Sequence, residues 1–230
     1  MTRGLFITGT DTEVGKTYVT ALVAKALVAA GRRVGVYKPV ASGCREQDGT
    51  LVADDAVSLW QAAGRPGDLE HVCPQRFRAP LAPHRAAAAE GRAVDERMLR
   101  DGVAYWRERC DVVLVEGAGG LMSPVSENDY NADLVRDLGY PLVVVAPNVL
   151  GTINGTLQTL ITAETFGEGL DVAGVVLCNV RLGDDVSRQS NRQELERRCV
   201  APLLAEVADG ADAFDVEVDW FAMAREPQSL

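Results

Sequence analysis

The chain has 230 residues, 47% of them hydrophobic, and a formal net charge of −10. That is enough apolar material for one large buried core, yet no run of about 18 apolar residues marks a membrane span. The acidic balance argues against broad nucleic-acid binding, which needs a basic face.

The first residues, MTRGLFITGT, hold a short apolar run, GLFI, too brief for a signal peptide. A cytoplasmic protein is expected. The five cysteines, Cys44, Cys73, Cys110, Cys178 and Cys199, form no C-x-x-C pair. With only two histidines, His71 and His84, the cysteines read as free thiols of a reducing compartment rather than a zinc site.

In chain order, Leu5–Thr8 reads as a buried strand. Lys16–Ala30 reads as a helix, with Val19, Leu22, Val23, Ala26 and Leu27 at helical spacing, ended by Gly31. Arg33–Tyr37 is a second strand and Ala53–Ala63 a short helix, with GRPGD after it as a loop. CPQRFRAPLAPHR carries three prolines and reads as irregular. Asp95–Glu108 reads as one helix. Asp111–Val115, Pro141–Ala146 and Val172–Asn179 are continuous apolar runs, as in parallel strands buried on both faces. Helices are expected near Thr152–Phe166 and Ser187–Arg198, and Pro202–Val207 as a last strand. This alternation predicts a single α/β domain over 1–230, with a doubly wound, mostly parallel sheet flanked by helices. The acidic segment from about 209 to 230 has no chemical role legible in it.

Between the first strand and the first helix stands GTDTEVGKT, Gly9–Thr17. It departs by one residue from the phosphate-loop pattern G-x-x-x-x-G-K-[ST], which would put a glycine where Thr10 stands. The strand–turn–helix setting still aims backbone N–H groups and a helix N-terminus at a phosphate. Lys16 then reaches the β- and γ-phosphates, and Thr17 is a Mg²⁺ ligand. Asp55 opens a helix, where a carboxylate favours the helix dipole in any case. With Thr17 and Glu116 it is also a candidate Mg²⁺ ligand. Glu116 ends a buried strand, where a carboxylate is costly without a partner. Metal or substrate contact and a structural salt bridge both supply one. The glycines around Ala118, Gly117, Gly119 and Gly120, let backbone come close to a ligand.

Only three lysines are present, and Lys38 follows the second strand as Lys16 follows the first. Its place favours a role on transferring phosphate, against the solvated charge that a lysine usually is. Ser42 follows and is a candidate substrate contact. Gly151, Thr152 and Asn154 open a helix after a strand. Free N–H groups there suit a carboxylate; the alternative reading is a well-capped core helix.

Taken in order, GTDTEVGKT, YKPVASG (Tyr37–Gly43), Asp55, PHRAAAAEGR around His84, VEGAGGLMSPVS (Val115–Ser126) and LGTIN (Leu150–Asn154) resemble the dethiobiotin synthetases across roughly the first 180 residues. The resemblance implies a P-loop NTPase-like domain and a ligase. Its reaction would use ATP, Mg²⁺ and CO₂ to carboxylate and close 7,8-diaminononanoate, through a carbamate and a carbamic–phosphoric anhydride. It implies Lys38 and Lys16 as catalytic. Nucleotide contacts would come from Glu13, Val14, Gly15, Lys16, Thr17, Tyr18, Asp55, Glu116, Gly117, Ala118, Gly119 and Asn179. The metal would fall to Thr17, Asp55 and Glu116. Substrate would meet Thr12, Ser42, Gly151, Thr152 and Asn154, the last three given by the other subunit of a homodimer.

The chain departs from that pattern at the adenine side. Cys178 stands at the register of the family's asparagine, Asn179 comes one residue later, and Ala208 replaces a proline. A rival reading is a switch-type or regulatory ATPase acting on a protein partner. The partitioning ATPases of that class carry a signature lysine where Asp11 stands here, and YKPVASG argues against them too.

Overall fold

The structure is a computed structural model that describes residues 2–179 and 185–227. Residues 1, 180–184 and 228–230 of the expected domain lie outside the described ones. The chain opens with β1 (Arg3–Gly9), α1 (Lys16–Ala29) and β2 (Val34–Tyr37). An excursion follows: β3 (Val40–Ala41), β4 (Arg45–Gln47), β5 (Thr50–Val52), α2 (Asp54–Ala62), α3 (Leu69–Val72), β6 (Gln75–Arg76) and α4 (Pro83–Ala89). Then come α5 (Glu96–Asp101), α6 (Ala104–Arg107), β7 (Val112–Gly120), α7 (Asn131–Leu138) and β8 (Leu142–Pro147). The chain closes with α8 (Thr152–Thr165), β9 (Val172–Cys178), α9 (Arg188–Arg198), β10 (Leu203–Val207) and α10 (Trp220–Met223).

Six strands form one parallel sheet in the order β10-β9-β8-β1-β7-β2. The apolar runs are why: Leu5, Phe6 and Ile7 of β1, Val112–Val115 of β7 and Leu142–Ala146 of β8 are fully buried, as strands covered on both faces must be. β1 is central, and the chain winds to β2 on one side and to β8 on the other. The carboxyl end of β1 is thus the topological switch point, where open α/β sheets bind ligands. Among the described residues no helix is long and apolar enough to cross a membrane.

Two expected elements come out differently. β7 does not stop at Val115; it runs through GAGG to Gly120, which pairs with Gly9. Apolarity ends at Val115, but the backbone ladder continues along β1, so Glu116 sits inside the strand opposite Ile7. The single helix expected over Asp95–Glu108 is two, α5 and α6. The Tyr37 hydroxyl donates to the Met98 carbonyl at 2.6 Å and intrudes on the helical ladder. It fits because residue 102 is glycine: a Cβ there would stand 2.3 Å from Tyr37 Oη. Four helices went unforeseen: α7, α4 inside the proline-rich stretch, and the short α3 and α10.

Candidate active site

The connection from β1 to α1 folds over the switch point. Gly15 caps α1 with φ 94°, a left-handed backbone that a side chain disfavours. Glu13 holds φ 59° without being glycine, a strain of about 1–3 kcal/mol of the kind stored at ligand clamps. Thr12 N–H donates to Asp11 Oδ1 at 2.7 Å, bracing the turn. Val14 is buried and anchors it to the core.

Two lysines converge here, both buried. Lys16 Nζ donates to the Asp11 carbonyl at 2.8 Å. Burial pushes Lys16 down to about 8, and the Glu116 charge offsets only part of that. Lys38 Nζ lies 2.6 Å from Glu116 Oε1 and 2.9 Å from Asp55 Oδ2. Burial by itself would lower the Lys38 ammonium, yet Glu116 and Asp55 together hold it above the ordinary lysine range. Burial would likewise raise the Asp55 carboxyl, and the Lys38 charge holds it below the usual carboxylate value.

Glu116 is wholly buried. Its Oε1 accepts from Thr17 Oγ1 at 2.8 Å as well as from Lys38, while its Oε2 has no partner. An orphaned buried carboxylate oxygen beside a hydroxyl and a half-exposed carboxylate suits a hard cation with oxygen ligands. Thr17, Asp55 and Glu116 therefore fit Mg²⁺. Among the described residues no three His, Cys, Asp or Glu side chains form a complete cage. Mg²⁺ rarely uses one, since it keeps water and substrate phosphates in its shell.

A cleft of about 740 Å³ opens above these groups. Thr12, Glu13, Gly15, Lys16, Thr17, Tyr18, Lys38, Ser42 and Asp55 line its polar side, with Ala118 and Gly119 beside them. Pro80, Leu81, Ala82, Pro83 and Pro124 form an apolar wall. Gly117 lies below, held against Asn131.

Asn131, which sequence reasoning missed, organises the glycine run. Its Nδ2 donates to the Ala118 and Gly120 carbonyls at 2.8 and 2.7 Å, and its Oδ1 accepts from Ala118 N–H at 3.3 Å. Ser123 joins it, accepting from Gly120 N–H at 2.8 Å. No local pattern in the sequence marks Asn131, whereas Ser123 falls within the VEGAGGLMSPVS motif.

Other expected residues lie apart. Gly151 and Asn154 are exposed at the start of α8, Thr152 is buried, and none of the three lines the cleft. Asn179 follows the end of β9. Cys178, at the register of the family's asparagine, is buried in the core, whereas Asn179 takes part in a polar network with β10. Tyr18, next to Thr17, donates its hydroxyl to the Ala211 carbonyl and links α1 to the chain after β10.

Fold and phosphate loop together define a P-loop nucleotide-binding domain. Two solved structures share this architecture. The septum site-determining protein MinD of Pyrococcus horikoshii, complexed with Mg-ADP, superposes with TM-score 0.51 at 18% identity, over 91% of this chain and 82% of that one. A ParA family ATPase of Chlorobium tepidum gives TM-score 0.53 at 15% identity, over 90% of this chain and 83% of that one. At such identities the likeness concerns the fold alone.

Sequence relatives are more particular. A family model described as an AAA domain matches residues 3–212. The ATP-dependent dethiobiotin synthetase BioD of Rhodopirellula baltica is 46% identical over 213 residues, 88% of this chain and 82% of that protein. The same-named protein of Bacillus subtilis is 36% identical over 209 residues, 88% of this chain and 85% of that one. The chain belongs to the ATP-dependent dethiobiotin synthetase family.

Proposed function

We propose that this chain is a dethiobiotin synthetase. It would join CO₂ to 7,8-diaminononanoate at the expense of ATP and close the cyclic urea, releasing ADP and phosphate. The observation that carries this reading is the pair of buried lysines at the switch point, Lys16 on the phosphate loop and Lys38 between two carboxylates.

A phosphoryl-transfer site works chiefly by positioning and by neutralising charge. Lys16 and the N–H groups of Glu13 to Thr17 would hold the β- and γ-phosphates. Lys38 would face the transferring phosphoryl group and the carbamate oxygen that attacks it. Bound by Thr17, Asp55 and Glu116, Mg²⁺ would supply further charge neutralisation at the phosphates. The apolar wall from Pro80 to Pro83 suits an alkyl chain, and Thr12 and Ser42 would hold the polar end that reacts. The second amine then closes the ring and phosphate leaves.

The substrate carboxylate would meet the N-terminus of α8, at Gly151, Thr152 and Asn154, from a second copy of the chain. Support comes from the exposure of Gly151 and Asn154 outside the cleft and from the exposed Leu150 and Ile161 on the same segment. A homodimer with shared sites follows from this reading. Five free cysteines fit a cytoplasmic setting.

Phosphate release from Mg·ATP and bicarbonate, measured with and without the diamine, tests the proposal. Diamine-dependent release, with the cyclic urea seen by mass spectrometry, is the expected result. Release indifferent to the diamine would replace this reading with a switch-type ATPase.

A further inference from the structure

The turn from β8 into α8, residues 148–151, is fixed from behind by α9 and the residues just before it. The Asn148 carbonyl accepts from Arg188 Nε at 3.1 Å, and its side-chain Oδ1 accepts from Asn191 Nδ2 at 2.9 Å. The same Nδ2 lies 3.2 Å from the Val149 carbonyl, which also takes the Thr152 N–H at the start of α8. Leu150 N–H donates to Asp185 Oδ2 at 2.7 Å. Asn148, Val149 and Leu150 are thus pinned in succession before Gly151, whose φ of 96° turns the chain into the helix.

α9 commits a buried position to this. Its sequence, RQSNRQELERR, is polar almost throughout, and it buries two side chains, Asn191 and Leu195. Leu195 joins the hydrophobic core. Asn191, 3% exposed, meets Asn148, 1% exposed, amide to amide, so neither can trade the bond for water. Asn148 Nδ2 is occupied by Glu206 Oε1 at 3.0 Å, an oxygen that can only accept. Asn148 must therefore turn its Oδ1 toward Asn191, and Asn191 must answer with a donor. Such a pair has one register, where apolar contact could slide.

We infer that Asn191 is a positioning residue for the substrate carboxylate: through Asn148 and Val149 it sets how the start of α8 presents its free N–H groups. The inference rests on the proposed carboxylate site at Gly151, Thr152 and Asn154, and it adds to that site a residue that touches no substrate. The first N–H groups of a helix have no partner inside it. A carboxylate takes more than one of them only where they converge within hydrogen-bond reach, and a turn free to rock would lose that convergence.

Replacing the carboxylate of 7,8-diaminononanoate by a methyl group gives 2,3-diaminononane, which keeps both amines and the chain length. Steady-state kinetics of the whole protein with each diamine, in Mg·ATP and bicarbonate, test the inference. Asn191→Leu nearly keeps the volume but removes the donor facing Asn148 and Val149. Its KM for 7,8-diaminononanoate should rise roughly tenfold, while kcat, KM for ATP and KM for 2,3-diaminononane stay within about twofold. Leu195→Ala, which opens a cavity under the same helix, is the control for a merely structural role. It should lower stability without separating the two diamines. Asn191→Ser, small enough to admit a water beside it, serves if the leucine variant does not fold, and the same selective rise is expected. A rise shared by both diamines, or no rise, assigns Asn191 to stability alone and overturns the inference by itself. If the unaltered protein takes 2,3-diaminononane as readily as 7,8-diaminononanoate, the carboxylate site at α8 falls and the inference falls with it.

Discussion

Lys38 is held by Glu116, which is wholly buried, and by Asp55, which is half-exposed. Its removal acts twice. The developing charge on the phosphoryl group loses a partner, and turnover in the phosphate-release assay should fall roughly a hundred- to a thousandfold for Lys38→Ala. Glu116 is also left as a buried charge without its ammonium, so urea unfolding should show a loss of about 3–5 kcal/mol. Lys16 makes a pH prediction. Burial lowers it to about 8 from 10.5, so above that value the free protein carries it neutral. Phosphate would draw the proton back on binding. ADP affinity measured in EDTA should therefore fall as pH rises above about 8, by up to roughly tenfold per unit, with proton uptake visible in calorimetry. The unliganded protein should show the opposite trend. Between about 8 and 10.5 the unfolded chain binds a proton that the folded one does not, so stability rises with pH in that window. Lys16→Met should flatten both slopes.

The glycine run of β7 and the helix α7 work as one unit through Asn131. Asn131→Ala would leave the Ala118 and Gly120 carbonyls unpaired, at about 1–3 kcal/mol each. Lower stability in urea and a raised KM for nucleotide are the expected result. A variant with normal KM would show that the glycine run holds its shape unaided. This coupling also marks the limit of what the sequence discloses. Lys16, Thr17 and Lys38 stand in motifs at the ends of apolar strands, so motif and periodicity locate them. Asn131 acts on carbonyls 11 and 13 residues back, and nothing near it in sequence announces that. The buried strands are legible because parallel pairing leaves long apolar runs. The end of β7 is not, because glycines carry no polarity and the ladder alone continues it. Likewise the break between α5 and α6 is set by Tyr37, a residue about 60 positions away along the chain. Gly102→Ala should test that contact, since a methyl group 2.3 Å from the tyrosine oxygen forces one of them to move. A loss of about 1–3 kcal/mol in unfolding free energy is expected.

At the scale of the whole molecule, no Lys or Arg among the described residues lines the apolar side of the cleft, where the only helix end is the start of the short α4 at Pro83, while the start of the longer α8 lies outside it. A second copy supplies the missing half if the proposed dimer is right, and subunit mixing tests this directly. Asn154→Asp keeps a good first-turn residue for α8 but sets a negative charge against an incoming carboxylate. Lys38→Ala removes the reacting end. Each pure variant should be inactive. In a mixed dimer, one site takes Lys38 from the first variant and Asn154 from the second and is intact, while the other site carries both defects. Random reassortment of equal amounts makes half the dimers mixed, so activity should return to roughly a quarter of the unaltered level. If each site were built within one subunit, every site in the mixture would carry one defect. The mixture would then stay inactive, which overturns sharing of the site between subunits, while normal activity of pure Asn154→Asp would show that the start of α8 has no part in binding substrate.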